Sequence, residues 1–405
     1  MNVNFNDMVF ALSYALDSVE HELLGVTTGH SKRVAYICAV LGKEYGLKDE
    51  ELIDLTACAA LHDNALTQYI KEEYHTNGQS NVAFHCVKGE KNVSSFPFFT
   101  DVTGAILFHH ENANGSGPFR KRKEETPLFA QLIHFADRLD SDCNLSKITE
   151  EKYEHILEYL KLHIDTFFAK DIVDSFLRIF NKEFLLKFGN LDMDEIIHKQ
   201  IPQKEREYTT QEIKEVSLVF ASIIDYKSVN TKNHSIGMAM RCAAMGDFYN
   251  YSKDLIDQLF IAGALHDIGK LLINNEILEK PGALTDDEYT YMKNHAWQTY
   301  HILKQIQGFE KITNLASFHH ERLDGSGYPF KKKAEELSKD ERLLECMDVY
   351  QALVEKRPYK EEMTHEQAIA ILREQGKTGK LDSDIIEDIN QNKQKLQNID
   401  VFDRE

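Results

Sequence analysis

The sequence has few helix-breaking residues and lacks the patterns that mark a secreted or membrane-spanning chain. Only seven prolines and twenty glycines punctuate its 405 residues. No stretch approaches the roughly twenty apolar residues of a membrane span. The segment from Met1 to Phe10 has neither a basic start nor an apolar run, so we expect no signal peptide. These absences predict a cytoplasmic protein with no membrane partner.

Paired cysteines and an excess of basic residues are also missing. The six cysteines form no C-x-x-C pair, and we expect them to be buried small side chains in a reducing compartment. The formal net charge of −19 argues against a nucleic-acid polymer as a partner. A small nucleotide held by a few local cations remains compatible with this charge.

Helical periodicity is the main pattern that the sequence does have. Between Val216 and Ile224, apolar residues recur at i, i+3, i+4, i+7 and i+8. Alternating segments of Val, Ile and Thr are scarce. We therefore predict an all-α fold class, with two tandem helical domains joined by a helical connector.

The chain length suits two domains of ordinary size. We predict domains at residues 1–200 and 201–405, with the joint in the polar stretch from Lys199 to Glu207. The segment from Ile148 to Pro202 has apolar faces at helical spacing, so we expect a packed connector. Thr209 or Thr210 is expected to cap the helix that follows.

A histidine-rich motif occurs twice. His319-His320-Glu321 is followed by a glycine-rich turn that ends in Tyr328-Pro329, and His109-His110-Glu111 is followed by a similar turn that ends in Pro118-Phe119. A shift of 204 residues carries His30, His62 and Asp63 onto His234, His266 and Asp267; 210 carries His85, His109 and His110 onto His295, His319 and His320; and 211 carries Asp137 onto Asp348. This register predicts an internal duplication.

Each half therefore offers five histidines and two aspartates as metal ligands. Mixed nitrogen and oxygen ligands favour iron, manganese or another borderline divalent ion over a thiolate zinc site. Two such metals can stabilise the entering and leaving oxygens of a phosphoryl displacement. Isolated histidines such as His134, His163 and His198 are interpreted as ordinary core or surface residues, and His301 competes with His295 as a ligand.

The second half resembles a known family. The stretches His266-Asp267-Ile268-Gly269-Lys270 and His319 to Pro329 look like the HD-GYP subfamily of the HD superfamily of metal-dependent phosphohydrolases. The resemblance extends to Met292–His295, Met347–Leu353 and Arg357–Lys360, and covers about residues 210–390. It implies a helical domain with two or three metals, often iron or manganese. It also implies hydrolysis of a cyclic dinucleotide, cyclic di-GMP or 3′,3′-cyclic GMP-AMP, to a linear dinucleotide.

Carried over residue by residue, the resemblance implies a role for each matching position. The metal ligands would be His234, His266, Asp267, His295, His319, His320 and Asp348. Asp267 would bridge the metals and act in catalysis together with Lys270. Lys270, Tyr328, Arg357 and Lys360 would hold the substrate. Asn230 stands where members with a third metal place Glu, so we expect two metals.

The first half has counterparts of all seven metal ligands but lacks counterparts of the cations that would hold the substrate. A second metal site is predicted from His30, His62, Asp63, His85, His109, His110 and Asp137. Leu66 stands in the place of Lys270, and nothing after Asp137 resembles Arg357–Lys360. We consider three interpretations: a second active site for another substrate, a regulatory metal or nucleotide domain, and a structural relic that packs on the second half or makes a dimer.

Two other functions compete with cyclic-dinucleotide hydrolysis. One is an HD-type nucleotide phosphohydrolase, and the other is a non-catalytic cyclic-dinucleotide receptor or partner-binding scaffold. Gln351 stands where the family usually has Asp, so a hydrogen bond behind the ligands is expected to differ. A homodimer or a signalling-protein partner is left open, as is the choice between the two cyclic dinucleotides.

Overall fold

The computed structural model describes residues 3–69, 82–202, 207–227, 233–355 and 362–399. The chain divides into two compact units. The first unit spans Phe5–Arg206, and the second spans Glu207–Glu405 together with Met1–Asn4. Helices form the regular structure of the described ranges, with isolated bridges such as Asn114 with Arg122. The predicted all-α fold class is confirmed.

The first unit is built from helices that alternate with short turns. Its helices are Phe5–Leu24, His30–Glu44, Asp49–Ala60, Leu66–Tyr69, Val82–Val93, Leu128–Cys143, Glu150–His163, Lys170–Ile179, Lys182–Phe188 and Met193–Gln200, with a 3₁₀ turn at Lys123–Glu125.

The second unit repeats this style. Its helices are Thr210–Lys227, His234–Phe248, Lys253–Leu265, Asn275–Leu278, Asp286–Leu303, Glu310–Ser317, Lys339–Val354, His365–Lys377, Ser383–Gln391 and Lys393–Gln397, with 3₁₀ turns at Ile268–Leu272 and Ala334–Glu336.

Local capping sequences fix where the site-bearing helices of the second unit begin. Ser338 and Glu341 form a capping box at the start of Lys339–Val354, with Ser338 N donating to Glu341 Oε2 over 2.7 Å. Thr285 and Glu288 form a second box at the start of Asp286–Leu303. Each box satisfies backbone amides that a helix start leaves without partners. The boxes thus set the register of Asp348 and His295.

The predicted connector is part of the core of the first unit. Phe176 and Phe180 lie on or beside its helices, and their rings stack with centroids 4.6 Å apart. Tyr36 lies 5.8 Å from Phe188, and Phe135 lies 5.2 Å from Phe176. Burying such a side chain stabilises a fold by about 1.5–3 kcal/mol. The connector helices therefore brace the two helices that carry Tyr36 and Phe135.

Other expectations of the sequence can be compared with the fold. All six cysteines are free and buried, as expected: Cys38, Cys58, Cys86, Cys143, Cys242 and Cys346. Glu212 N donates to Thr209 Oγ1 over 3.2 Å, which confirms Thr209 as the cap of the next helix. In the part of the chain that the structure describes, no helix combines the length and apolar character needed to cross a membrane.

Candidate metal centre

The seven predicted ligands of the second unit converge although they come from distant parts of the sequence. His234 is the first residue of its helix, His266 follows the helix Lys253–Leu265, and Asp267 precedes a 3₁₀ turn. His295 lies inside Asp286–Leu303 and Asp348 inside Lys339–Val354, whereas His319 and His320 follow Glu310–Ser317. Six of these side chains are buried and His320 is half-buried.

Asp267 lies between two groups of imidazoles. Its Oδ2 atom is 3.3 Å from His266 Nε2 and 3.9 Å from His234 Nε2. Its Oδ1 atom is 3.5 Å from His295 Nε2 and 3.8 Å from His319 Nε2. The two carboxylate oxygens thus face different sets of nitrogen atoms.

Asp348 closes the centre from another helix. Its Oδ1 atom is 3.5 Å from His234 Nε2, and its Oδ2 atom is 3.5 Å from His320 Nδ1. Candidate ligand groups can be drawn from His234, His266 and Asp348, from His295, His319 and His320, and from His266, Asp267 and His319. His301, the competitor of His295, instead packs on Trp297 with ring centroids 4.4 Å apart.

Burial and charge set the protonation of these groups. Burial alone would raise the pKa of Asp267, but His266 and Lys270 hold it well below its usual range. Burial lowers the pKa of His295 to about 4 and that of His319 to about 3. Burial opposes protonation of His234 as well, yet hydrogen bonds with Asp348 and Glu355 raise its pKa to about 10. The centre therefore combines charged carboxylates with neutral imidazoles at His295 and His319, whereas His234 must release a proton before its Nε2 atom can bind a cation.

Unsatisfied buried atoms test whether a metal fits. Within the described ranges, His266 Nε2 and Asp267 Oδ1 are buried and have no hydrogen-bond partner. A buried polar atom without a partner costs stability. Buried imidazole nitrogens and carboxylate oxygens without hydrogen-bond partners suit a divalent ion as their shared partner. The residues present therefore fit a metal.

Glu321 has a structural role in the His-His-Glu motif. Its carboxylate accepts hydrogen bonds from Phe330 N over 2.7 Å and from Lys332 N over 2.8 Å. A Cβ on Gly327 would lie 2.4 Å from the Cα of Glu321, so only glycine fits there. The loop is thereby pinned, and it places the Tyr328 ring 4.8 Å from that of His320.

Two lysines lie near this centre, and the sequence reasoning assigned a role to only one. Lys270 Nζ forms an ion pair with the Asp267 carboxylate. Lys293 Nζ lies 6.0 Å from the centre of the Tyr328 ring and 4.8 Å from that of the half-exposed Tyr289. The sequence feature that could have identified Lys293 is its position two residues before His295. Two predicted substrate-binding residues, Arg357 and Lys360, lie outside the described residues, as does Asn230.

Gln351, which stands where the family usually has Asp, forms a hydrogen bond with an arginine. Gln351 Oε1 accepts from Arg241 Nη1 over 2.7 Å. The Nδ1 atom of His234 donates instead to Glu355 Oε2 over 2.8 Å. Sequence reasoning missed Glu355, since no motif marks it.

The seven predicted ligands of the first unit also converge, in the same arrangement. Asp63 Oδ1 is 2.8 Å from His85 Nε2 and 3.8 Å from His109 Nε2, and Asp63 Oδ2 is 3.7 Å from His62 Nε2. Asp137 Oδ1 is 3.3 Å from His30 Nε2, and Asp137 Oδ2 is 4.0 Å from His110 Nδ1. Candidate groups are Asp63 with His85, His109 and His110, and His30 with His62 and Asp137.

The surroundings of the first centre are different. Leu66, at the position of Lys270, is 5 % exposed and apolar. Glu20, from the first helix, is 2 % exposed, and burial together with the nearby Asp63 raises its pKa to about 8. This centre thus keeps the ligand geometry and has a buried acid nearby, with no lysine at the position of Lys270.

Comparison with known proteins agrees with the duplication. Sequence-family models described as an HD domain match residues 27–142 and residues 219–385. The 3′3′-cGAMP-specific phosphodiesterase 1 of Vibrio cholerae is 28% identical and covers 99% of this chain and 94% of its own. The cyclic di-GMP phosphodiesterase response regulator RpfG of Xanthomonas campestris is 33% identical over 43% of this chain and 44% of its own.

A solved structure has the same fold. The crystal structure of the cyclic GMP-AMP-specific phosphodiesterase V-cGAP3 of V. cholerae superposes with a TM-score of 0.68. It covers 97% of this chain and 98% of that chain at 22% sequence identity. The similarity extends over both units.

Proposed function

Because the chain belongs to the HD-domain family and carries two HD domains in tandem, we propose that it is a metal-dependent phosphodiesterase for a cyclic dinucleotide. Its relatives include cyclic di-GMP and 3′3′-cGAMP phosphodiesterases. The proposed reaction breaks one phosphodiester bond with water and yields a linear dinucleotide. We assign this activity to the second unit.

The observation that carries this proposal is the position of Asp267. Its Oδ2 atom faces His234 and His266, and its Oδ1 atom faces His295 and His319. A carboxylate placed in this way suits the bridging of two metal ions. Two divalent ions are therefore proposed for the second unit, with iron or manganese favoured by the mixed nitrogen and oxygen ligands.

The proposed division of ligands follows the distances. His234, His266 and Asp348 would hold one metal; His295, His319 and His320 would hold the other, with Asp267 shared. When bound, the metals would neutralise charge on the phosphate that reacts and orient it for in-line displacement.

The chain's own cations complete the proposed site. Lys270, beside Asp267, would contact the reacting phosphate or give a proton to the leaving oxygen. The ring of Tyr328 would line the entrance to the proposed substrate site. Lys293, near that ring, would hold the second phosphate, because a dianionic ligand on an acidic protein needs local cations. Arg357 and Lys360 are proposed for the same purpose from the sequence resemblance.

The tandem arrangement guides the choice of substrate. The V. cholerae relative that spans 99% of the chain is a 3′3′-cGAMP-specific phosphodiesterase, whereas RpfG aligns with 43% of it. We therefore propose 3′,3′-cyclic GMP-AMP as the substrate. Cyclic di-GMP is the competing substrate in the experiment below.

The first unit is proposed to bind metal without hydrolysing the dinucleotide. It keeps the seven ligands in the same arrangement. It lacks the counterpart of Lys270, where Leu66 stands, and Ala83 occupies the position of Lys293. A regulatory role for this metal-binding unit is the interpretation that these contacts favour.

One experiment tests these assignments together. Single-turnover hydrolysis of both dinucleotides would be followed with Mn²⁺ or Fe²⁺ in full-length protein, in His266→Ala/Asp267→Ala and in His62→Ala/Asp63→Ala. The expected result is cleavage of cyclic GMP-AMP that only the second-unit substitution abolishes. Cleavage at the native rate by the His266→Ala/Asp267→Ala protein would overturn the proposed function.

The competing functions give other outcomes. A nucleotide phosphohydrolase would cleave mononucleotides and leave both cyclic dinucleotides intact. A receptor would bind a cyclic dinucleotide and release it unchanged.

A further inference from the structure

The histidines of both centres need a partner for the ring nitrogen that faces away from the metals. In the second unit, Nδ1 donates to the carbonyl three residues earlier: His266 to Gly263 over 2.8 Å, His295 to Met292 over 2.7 Å and His319 to Ala316 over 2.6 Å. His62 and His109 do the same in the first unit. A helix or turn thus supplies the acceptor for a histidine within it or at its end.

His30 and His234 cannot use this arrangement. Each is the first residue of its helix, so no helical turn precedes it. In the first unit, a side chain from a facing helix provides the acceptor. His30 Nδ1 donates to Asp140 Oδ2 over 2.7 Å, and Arg33 Nε donates to Asp140 Oδ1 over 2.7 Å.

The second unit has lost both members of this supporting pair at the equivalent positions. The shift that carries Asp137 onto Asp348 carries Asp140 onto Gln351, and the shift that carries His30 onto His234 carries Arg33 onto Gly237. A carboxylate and an arginine occur four residues later instead, as Glu355 and Arg241.

In the second unit, the arginine and the histidine donate to two different residues. Arg241 donates to the amide oxygen of Gln351, and His234 donates to Glu355. Four residues are about one helical turn. Glu355 is the C-cap of the helix Lys339–Val354, and its backbone N–H donates to the carbonyl of Gln351 over 3.1 Å. The carboxylate that accepts the hydrogen bond from the histidine Nδ1 therefore lies one helical turn later in the second unit than in the first.

We propose that Glu355 positions His234 for metal binding and takes the role in the second unit that Asp140 has in the first. A carboxylate on Nδ1 keeps a proton on that nitrogen, so Nε2, which faces Asp348 and Asp267, is the nitrogen that would bind a metal. The carboxylate also strengthens the imidazole as a ligand. The inference rests on the proposed function only in treating this cluster as a metal site.

The test measures metal affinity and needs no substrate. Full-length protein with His62→Ala/Asp63→Ala, which leaves the second-unit centre intact, would be titrated with Mn²⁺ after chelation. Glu355→Ala is expected to weaken binding by about 10–100-fold, as is typical for a lost partner of a metal ligand. Glu355→Gln, which keeps the shape and removes the charge, should lose less. Glu362→Ala removes an exposed carboxylate with the same change in charge and should bind like the parent.

Rescue separates positioning from a general effect on folding. Adding Gln351→Asp to Glu355→Ala restores a carboxylate at the place used by Asp140, and most of the lost affinity should return. Thermal melting in the presence of EDTA measures the stability of each variant without metal. If Glu355→Ala fails to fold, Glu355→Gln takes its place in the comparison. Equal Mn²⁺ affinity in Glu355→Ala, Glu355→Gln and Glu362→Ala would overturn this inference alone. No Mn²⁺ binding by the parent would overturn the proposed function as well.

Discussion

Substitution of Lys270 by Met should separate metal binding from catalysis. The Lys270 ammonium forms an ion pair with the buried Asp267 carboxylate, which is also a proposed metal ligand. Removing the ammonium frees that carboxylate, so Mn²⁺ should bind with equal or higher affinity. The same change removes the cation that is proposed to contact the reacting phosphate. Loss of one such contact costs about 3–4 kcal/mol in the transition state, so kcat should fall roughly 10²–10³-fold.

The assay would measure formation of the linear dinucleotide by chromatography, with the metal content of the same sample determined by mass spectrometry. Lys377→Met is the matched control, because Lys377 is exposed and pairs only with the exposed Glu374 among its described contacts. A Lys270→Met protein that carries as much metal as the parent and turns over at the native rate would refute the role of Lys270. A loss of rate that follows a loss of metal would show that Lys270 acts by holding Asp267.

Three further predictions concern other parts of the molecule. In steady-state assays, Lys293→Met should raise KM about tenfold, as expected for about 1.4 kcal/mol of lost phosphate binding, and should leave kcat nearly unchanged. An unchanged KM would contradict the proposed contact of Lys293 with the substrate. His62→Ala/Asp63→Ala should reduce the metal content from about four ions to about two per chain while hydrolysis continues, and loss of hydrolysis would contradict the division of labour. Burial raises the pKa of Glu345 to about 8, against the opposing charge of Arg322. The folded chain then holds a proton on Glu345 that the unfolded chain has released. The contribution of Glu345 to metal-free stability therefore falls as the pH rises from about 5 to about 8, by roughly 1.4 kcal/mol per pH unit. Glu345→Gln should lack this contribution in urea unfolding, and identical pH profiles would contradict it.

The convergence of the seven candidate ligands in each unit could be predicted from the sequence because their spacing reveals a duplication. Histidine and aspartate pairs recur at shifts of 204, 210 and 211 residues, and such a register needs no knowledge of the fold. The structure explains why it works: His266 and His319 follow the ends of helices, and His295 and Asp348 lie inside helices. Small changes in loop length between these helices alter the numbering and leave the geometry intact.

The contacts behind the ligands could not be predicted in this way. The partner of His234 depends on which residue of a facing helix comes within hydrogen-bond reach, and Glu355 lies outside any motif. Lys293 was visible beside His295, but its approach to the Tyr328 ring depends on the loop that Glu321 pins. Sequence periodicity gives the face of a helix, whereas these contacts depend on how two elements pack.

The difference between the units bears on what the first one does. Buried charges are costly unless they are paired or bind a cation, yet Asp63 and Asp137 are both held within a group of buried histidines. A unit kept only for packing could have apolar side chains in place of these groups without losing stability. Leu66 is such an apolar side chain, at the position where the second unit has Lys270. Retention of the ligand geometry without the substrate cations therefore favours a unit that still binds metal. We therefore expect the first unit to bind a metal and the second unit, where Lys270 stands, to carry out the proposed hydrolysis.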